Sequence, residues 1–177
     1  MNSQQPAKQQ IILDTNIIHY ATDGKYSDEM KRIISRLVDK YEFAMSAISI
    51  YEVFGGLHGR QDAKKLRERS AFASTLDKIP IEIDHLRLSG ALCTMFQHHP
   101  HLFSKGGMFK LADTLIGAQA MLNRAHILTA NRKDFPFPFY EEVGKHLINP
   151  MNERAITLAV LQPSAQAFNL EHGAIYA

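Results

Sequence analysis

Apolar positions along the chain alternate between short runs of strand length and longer stretches with helical spacing. "QIIL" (10–13) predicts a short buried strand, and a helix follows from near Thr15. In "SDEMKRIISRLVDKY", Met30, Ile33, Ile34, Leu37 and Val38 recur at helical spacing behind Ser27 as a cap, with Asp28 and Glu29 in the first turn. "EFAMSAI" reads as a second strand running into the helix "SIYEVFGGL", which Gly55 and Gly56 weaken or end, and residues 61–75 read as a basic helix. "KIPIEI" is a third strand, and residues 84–97 a further helix ended by the loop "QHHPHLFSKGG" with Pro100 as breaker. "LADTLIGAQAMLNRA" is apolar on most faces and predicts a packed helix. The strand "HILTA", the proline-punctuated loop "NRKDFPFPFY" and a last short strand, "KHLINP", follow it. No internal repeat is visible. Strands alternating with helices predict an α/β fold whose short, mostly parallel sheet is covered on both faces.

This pattern divides the chain into a disordered N-terminal arm (1–9), a core domain (10–150) and a C-terminal extension (151–177) that lies beyond the alternation. With 177 residues and 45% hydrophobic composition, one domain can bury about 70% of its unfolded surface without staples. "MNSQQPAKQQ" is too polar for a signal peptide, and no run of 18 apolar residues predicts a membrane span, so a cytoplasmic protein is expected. The single cysteine, Cys93, fits a reducing compartment and reads as a small core residue. A net charge of +2 and a pI near 8.7 permit a nucleic-acid partner without demanding one. Arg60, Lys64, Lys65, Arg67 and Arg69 in "GRQDAKKLRERS" can face phosphates, although a solvated helix face laced with Asp62 and Glu68 is the favoured reading.

The chemistry suggested by the pattern rests on carboxylates. In an open parallel sheet the ligand crevice lies outside the carboxyl ends of the strands. Asp14 falls at such an end; Asp134 follows "HILTA" by a short turn; Glu52 and Asp113 belong to helices that start near the same edge. Each also has a structural reading: Asp14 and Asp113 as N-caps, Glu52 as the far side of a capping box with Ser49, and Asp134 as a turn former before Pro136. Brought together, two like charges about 4 Å apart repel by roughly 4 kcal/mol at an effective dielectric near 20, and a cation relieves that. An all-oxygen donor set without nearby cysteine or a spaced histidine pair favours Mg²⁺ or Mn²⁺. Such a site suits attack of water on a phosphodiester.

"LDTNIIHY", "SAISIYEVFGGL", "LADTLIGAQA" and "ILTANRKDF", in that order, resemble the PIN-domain family of ribonucleases, and most closely the VapC-type toxins of toxin–antitoxin pairs. The resemblance covers residues 11 to about 150. It implies a three-layer α/β/α fold and an endoribonuclease dependent on Mg²⁺ or Mn²⁺. It further implies Asp14, Glu52 and Asp113 as the metal-binding catalytic acids, with Thr15 and Asn16 supporting the first. Many relatives carry an acid where Asn131 stands, so either Asn131 or Asp134 fills the fourth position. An RNA substrate, a cognate antitoxin and a homodimer are the partners implied, and no membrane.

Other signals are weaker. His98, His99 and His101 in "HHPH" fit no standard zinc spacing and read as a solvated loop. "FPFPFY" can stack on unpaired bases, but reads better as a loop pinned to the core by Phe135 and Phe137. Lys105, Lys110, Arg132 and Lys133 flank the acids and are candidates to hold substrate phosphates. Two rivals stand beside the nuclease. One is a non-catalytic RNA-binding or assembly module on the same fold. The other is a phosphatase with an Asp nucleophile, which needs a second Asp where Asn16 stands.

Overall fold

The computed structural model describes residues 7–22, 24–55, 57, 62–99, 110–150, 153–164, 167 and 169. Among the described residues the elements follow one another in the order β1 (Gln9–Leu13), α1 (Thr15–Thr22), α2 (Ser27–Leu37), β2 (Tyr41–Ser46), α3 (Ala47–Phe54), α4 (Ala63–Ser74), β3 (Asp77–Ile79), α5 (Ile83–His98), α6 (Leu111–Leu122), β4 (His126–Thr129), a 3-10 turn (Arg132–Asp134), β5 (Tyr140–Ile148) and β6 (Ile156–Pro163).

The strands form one sheet in the order β3-β2-β1-β4-β6-β5. β3, β2, β1 and β4 run parallel, and β6 pairs antiparallel with both β4 and β5. β1 is central, and its residues alternate between two cores as a pleated strand requires. Ile12 packs in a cluster with Leu88, Leu92, Ile116 and Tyr140, beneath α5 and α6. Ile11 and Leu13 pack in a second cluster with Ile17, Met30, Ile33 and Val53, beneath α1, α2 and α3. Helices therefore cover both faces, which is the three-layer arrangement expected.

Several boundaries differ from those read in the sequence. Gln9 belongs to β1 rather than to an arm; residues 1–6 of that arm lie outside the described residues. Ser27 opens α2 from inside the helix, and the cap position is Tyr26, with no side-chain cap bond. β3 stops at Ile79, because Pro80 has no N–H to continue the ladder, and Ile83 already starts α5. The larger correction concerns the C-terminus. The segment set aside as an extension supplies β6, an inner strand between β4 and β5, so the boundary at Pro150 cuts through the sheet. Its apolar run, "AITLAVL", is buried on both faces: Leu158 and Val160 join one cluster, Ala159 and Leu161 the other. The strand expected at "KHLINP" is correspondingly longer and forms the sheet edge as β5. No described helix is long and apolar enough to cross a membrane.

Candidate active site

β1 ends where Asp14 begins, and the Asp14 backbone N–H still donates to the Leu128 carbonyl of β4 at 3.0 Å. The side chain is thus fixed at the carboxyl edge of two adjacent parallel strands. Its Oδ2 accepts from Thr129 Oγ1 at 2.6 Å and from Asn16 Nδ2 at 2.5 Å, while Asn16 Oδ1 accepts from the Ala130 N–H at 3.1 Å. Asn16 therefore ties the start of α1 to the end of β4 and holds the carboxylate between them.

Glu52 arrives from α3. The Ser46 hydroxyl accepts from the Ile48 N–H at 3.2 Å and caps this helix, so Glu52 lies nearly two turns in, beyond capping range. Its Oε2 accepts instead from Thr15 Oγ1 at 2.5 Å, and the same hydroxyl lies 3.1 Å from Ser49 Oγ. The capping box suggested by "SIYE" does not form. Asp113 lies in the first turn of α6, whose cap position is Lys110 and carries no side-chain cap bond. Asp113 is consequently not an N-cap. It is buried, and its Oδ2 has no hydrogen-bond partner. Asp134, also buried, closes the 3-10 turn after β4, where Asn131 Nδ2 donates to its Oδ2.

All four carboxylates line one cavity of about 460 Å³, together with Thr15, Asn16, Lys110 and Asn131. Burial pushes the Asp14 carboxyl up to about 6; the Asp134 charge adds to this, and hydrogen bonds from Thr129, the Thr15 N–H and Asn16 oppose it. Burial pushes Asp113 up to about 7, reinforced by Asp134, Asp14 and Glu52 and opposed by Lys110. Asp134 is likewise raised by burial, with Lys133 and Lys110 opposing. Burial first, and the neighbouring acids second, therefore bring the Asp14 and Asp113 carboxyls close to neutral pH.

Among the described residues no group of three or more His, Cys, Asp and Glu side chains forms a ready-made metal cage. The donor chemistry nevertheless fits a hard divalent cation. Four carboxylates line the pocket, one buried carboxylate oxygen is unpartnered, and an ion that keeps several waters does not need a closed cage.

Not every sequence-level candidate reaches the cavity. Arg132 is drawn away by Glu142, with Nε 3.3 Å from Oε2, and is not among the lining residues. Lys133 acts on Asp134 from outside the cavity. Lys105 and His101 lie outside the described residues. His98 and His99 are exposed at the end of α5. The aromatic loop is pinned by Phe135 and Phe139, both buried, whereas Phe137 is 63% exposed. Four contributors escaped the sequence reading: Thr129, Ser49, His19 and Tyr20. A signal for the last two was available. His19 and Tyr20 follow Thr15 and Asn16 by four residues, so a helix starting at Thr15 presents them on the same side.

The comparisons with known proteins bear on the family and the fold. The chain has no significant sequence match among curated proteins. Among solved structures it is similar to VapBC2 from Rickettsia felis bound to a DNA fragment from its promoter, with 25% identity and a TM-score of 0.60 over 71% of this chain and 90% of that one. A toxin–antitoxin complex from Klebsiella pneumoniae is 29% identical, with a TM-score of 0.55 over 72% of this chain and 92% of that one. FitAcB from Neisseria gonorrhoeae, at 20% identity, supports the fold alone, with a TM-score of 0.57 over 71% of this chain and 90% of that one. The family model described as PIN domain matches residues 11–137, which hold all four carboxylates, and the chain belongs to the PIN-domain family.

Proposed function

We propose that this chain is a Mg²⁺- or Mn²⁺-dependent endoribonuclease and the toxin of a toxin–antitoxin pair. The observation that carries the reading is the Asp113 carboxylate: buried, with one oxygen unpartnered, and sharing its cavity with Asp14, Glu52 and Asp134. A purely structural acid at that place would be paired, because leaving a buried polar atom unsatisfied costs about 1–3 kcal/mol.

In this reading Asp14, Glu52 and Asp113 hold the divalent ion, and Asp134, steadied by Asn131, fills the fourth acidic position. When bound, such an ion lowers the pKa of a water and stabilises charge developing on the phosphate. Thr15 and Asn16 each hold one acid in place, through the bonds to Glu52 and Asp14. Lys110, exposed at the cavity, supplies a cation for a substrate phosphate. The partner assignment follows the likeness to the Rickettsia and Klebsiella complexes. That likeness supports an antitoxin, which in this reading occupies the acidic cavity; RNA as substrate, a homodimer in solution and a cytoplasmic setting complete the proposal.

The test is cleavage of an unstructured RNA with added Mg²⁺ or Mn²⁺, expected to stop in EDTA and to return when Mn²⁺ is restored in excess. Undiminished cleavage in excess chelator removes the metal mechanism. Absence of cleavage of any RNA under these conditions favours the non-catalytic module. Light scattering is expected to give the mass of a dimer.

A further inference from the structure

The basic stretch "GRQDAKKLRERS" acquires a setting in the fold that its sequence does not reveal. Its helical part, α4, packs against α1. Lys64, Lys65 and Arg69 of α4, with one acid, Glu68, among them, line a depression of about 430 Å³ with His19 and Thr22 of α1. His19 also lines the acidic cavity, so it is the wall between the two. Both the Arg69 guanidinium and the Glu52 carboxylate act on its imidazole, which places it between the basic and the acidic side.

This adjacency matters for a polyanion. A cavity of four acids repels every phosphate except one that a bound cation holds, so the rest of an RNA strand needs cations beside the cavity. Arg69 is pre-positioned to serve: its Nη1 donates to the Val53 carbonyl at 2.6 Å, which anchors the guanidinium and leaves most of its five N–H donors for an anion. Lys64 is only loosely engaged, 3.9 Å from Glu68, and its side chain is 83% exposed. Resting on the nuclease reading above, we propose that this depression is a phosphate subsite, where RNA emerging from the acidic cavity passes His19 and lays a neighbouring phosphate on Lys64, Lys65 and Arg69.

The experiment compares the full-length wild type with the double variant Lys64→Ala/Lys65→Ala and a charge-matched control, Lys8→Ala/Lys40→Ala. Both control lysines are exposed and lie at the amino ends of β1 and β2, the sheet edge opposite Asp14. Cleavage of a fluorescein-labelled single-stranded RNA is followed with Mn²⁺ over a range of salt concentrations. The expected result for Lys64→Ala/Lys65→Ala is a KM raised about tenfold with kcat nearly unchanged. Its plot of log KM against log salt should be shallower by about 1.4, the value for two lost single-strand phosphate contacts. The control should match the wild type. A Lys64→Ala/Lys65→Ala variant with the KM and salt slope of the control overturns the subsite, as does a loss confined to kcat. If the wild type cleaves nothing, the nuclease reading fails separately, and fluorescence anisotropy of the same RNA decides the subsite. Weaker, less salt-dependent binding by Lys64→Ala/Lys65→Ala then supports it, and equal binding or no binding by any of the three proteins overturns it.

Discussion

At the scale of single residues, Asp113 and Glu52 separate electrostatic from structural roles. The Asp113 carboxyl keeps its proton to about pH 7 in the folded chain, against an ordinary value of 3.8. A raised acid stabilises the fold below its unfolded pKa, and that contribution is lost as pH rises through the folded value. Asp113→Asn removes the titration, so without metal its melting temperature is expected to exceed that of the wild type at pH 8, with a gap that narrows as the pH falls and closes only below about 3.8. Nuclease activity should be lost. A lower melting temperature at pH 8 would mean that Asp113 holds the fold together. Glu52→Gln tests the second acid, whose bond from Thr15 an amide oxygen can still accept. It is expected to melt within about 1 kcal/mol of the wild type, as half-exposed changes do, yet to lose most cleavage, because a hard cation loses a full negative charge. Near-normal cleavage by that variant would remove Glu52 from the site. That these acids share a cavity was legible from residue types and positions. The hydroxyls that pair with Asp14 and Thr15 beside them, Thr129 and Ser49, were not, because those partners lie 115 and 34 residues away in sequence.

At the scale of elements, helices showed clearly where an apolar stripe met a polar face, as in α2, whose Met30, Ile33 and Leu37 are all buried. They showed less clearly at their ends, where a cap depends on geometry: Ser46 caps α3, whereas Ser27 caps nothing. Gly117 illustrates a requirement that no pattern reveals. It lies in α6, and a Cβ there would run into the hydroxyl of buried Tyr140, the first residue of β5. Tyr140 packs edge-on against Phe135, with centroids 5.5 Å apart, and has little room to yield. Gly117→Ala is therefore expected to cost about 1–3 kcal/mol by overpacking, despite the better helix propensity of alanine. A thermal melt checks it. Adding Tyr140→Phe removes the clashing oxygen and should recover most of the loss, and the double-mutant cycle measures that coupling. An unchanged melting temperature for Gly117→Ala alone would show that the ring can shift.

At the scale of the whole molecule, the alternation of strands and helices was enough to give a layered fold with its acids at one sheet edge, because parallel strands must be covered on both faces. The same burial hid the last strand. Leu158, Ala159, Val160 and Leu161 are all buried, two against each core, so the run has no polar alternation to mark it as a strand. β6 also joins the sheet out of chain order, beside β4 rather than at the edge, which no local signal encodes. The consequence for stability is large. Fully burying Leu158, Val160 and Leu161 is worth about 1.5–3 kcal/mol each, or roughly 5–9 kcal/mol together, a sum comparable to the whole stability of about 5–15 kcal/mol typical of a domain. Removing β6 also strips the hydrogen-bonding partner from β5 and leaves the edge of β4 unpaired. A fragment ending at Pro150, although it retains Asp14, Glu52, Asp113 and Asp134, is therefore expected to show no cooperative thermal transition and no cleavage. In the full chain, Val160→Asp places an unpaired charge in the cluster between β6 and the helices on that face and should also abolish the transition at neutral pH. A fragment 1–150 that melts cooperatively and cleaves RNA would show that the first five strands form a complete nuclease and that β6 is dispensable.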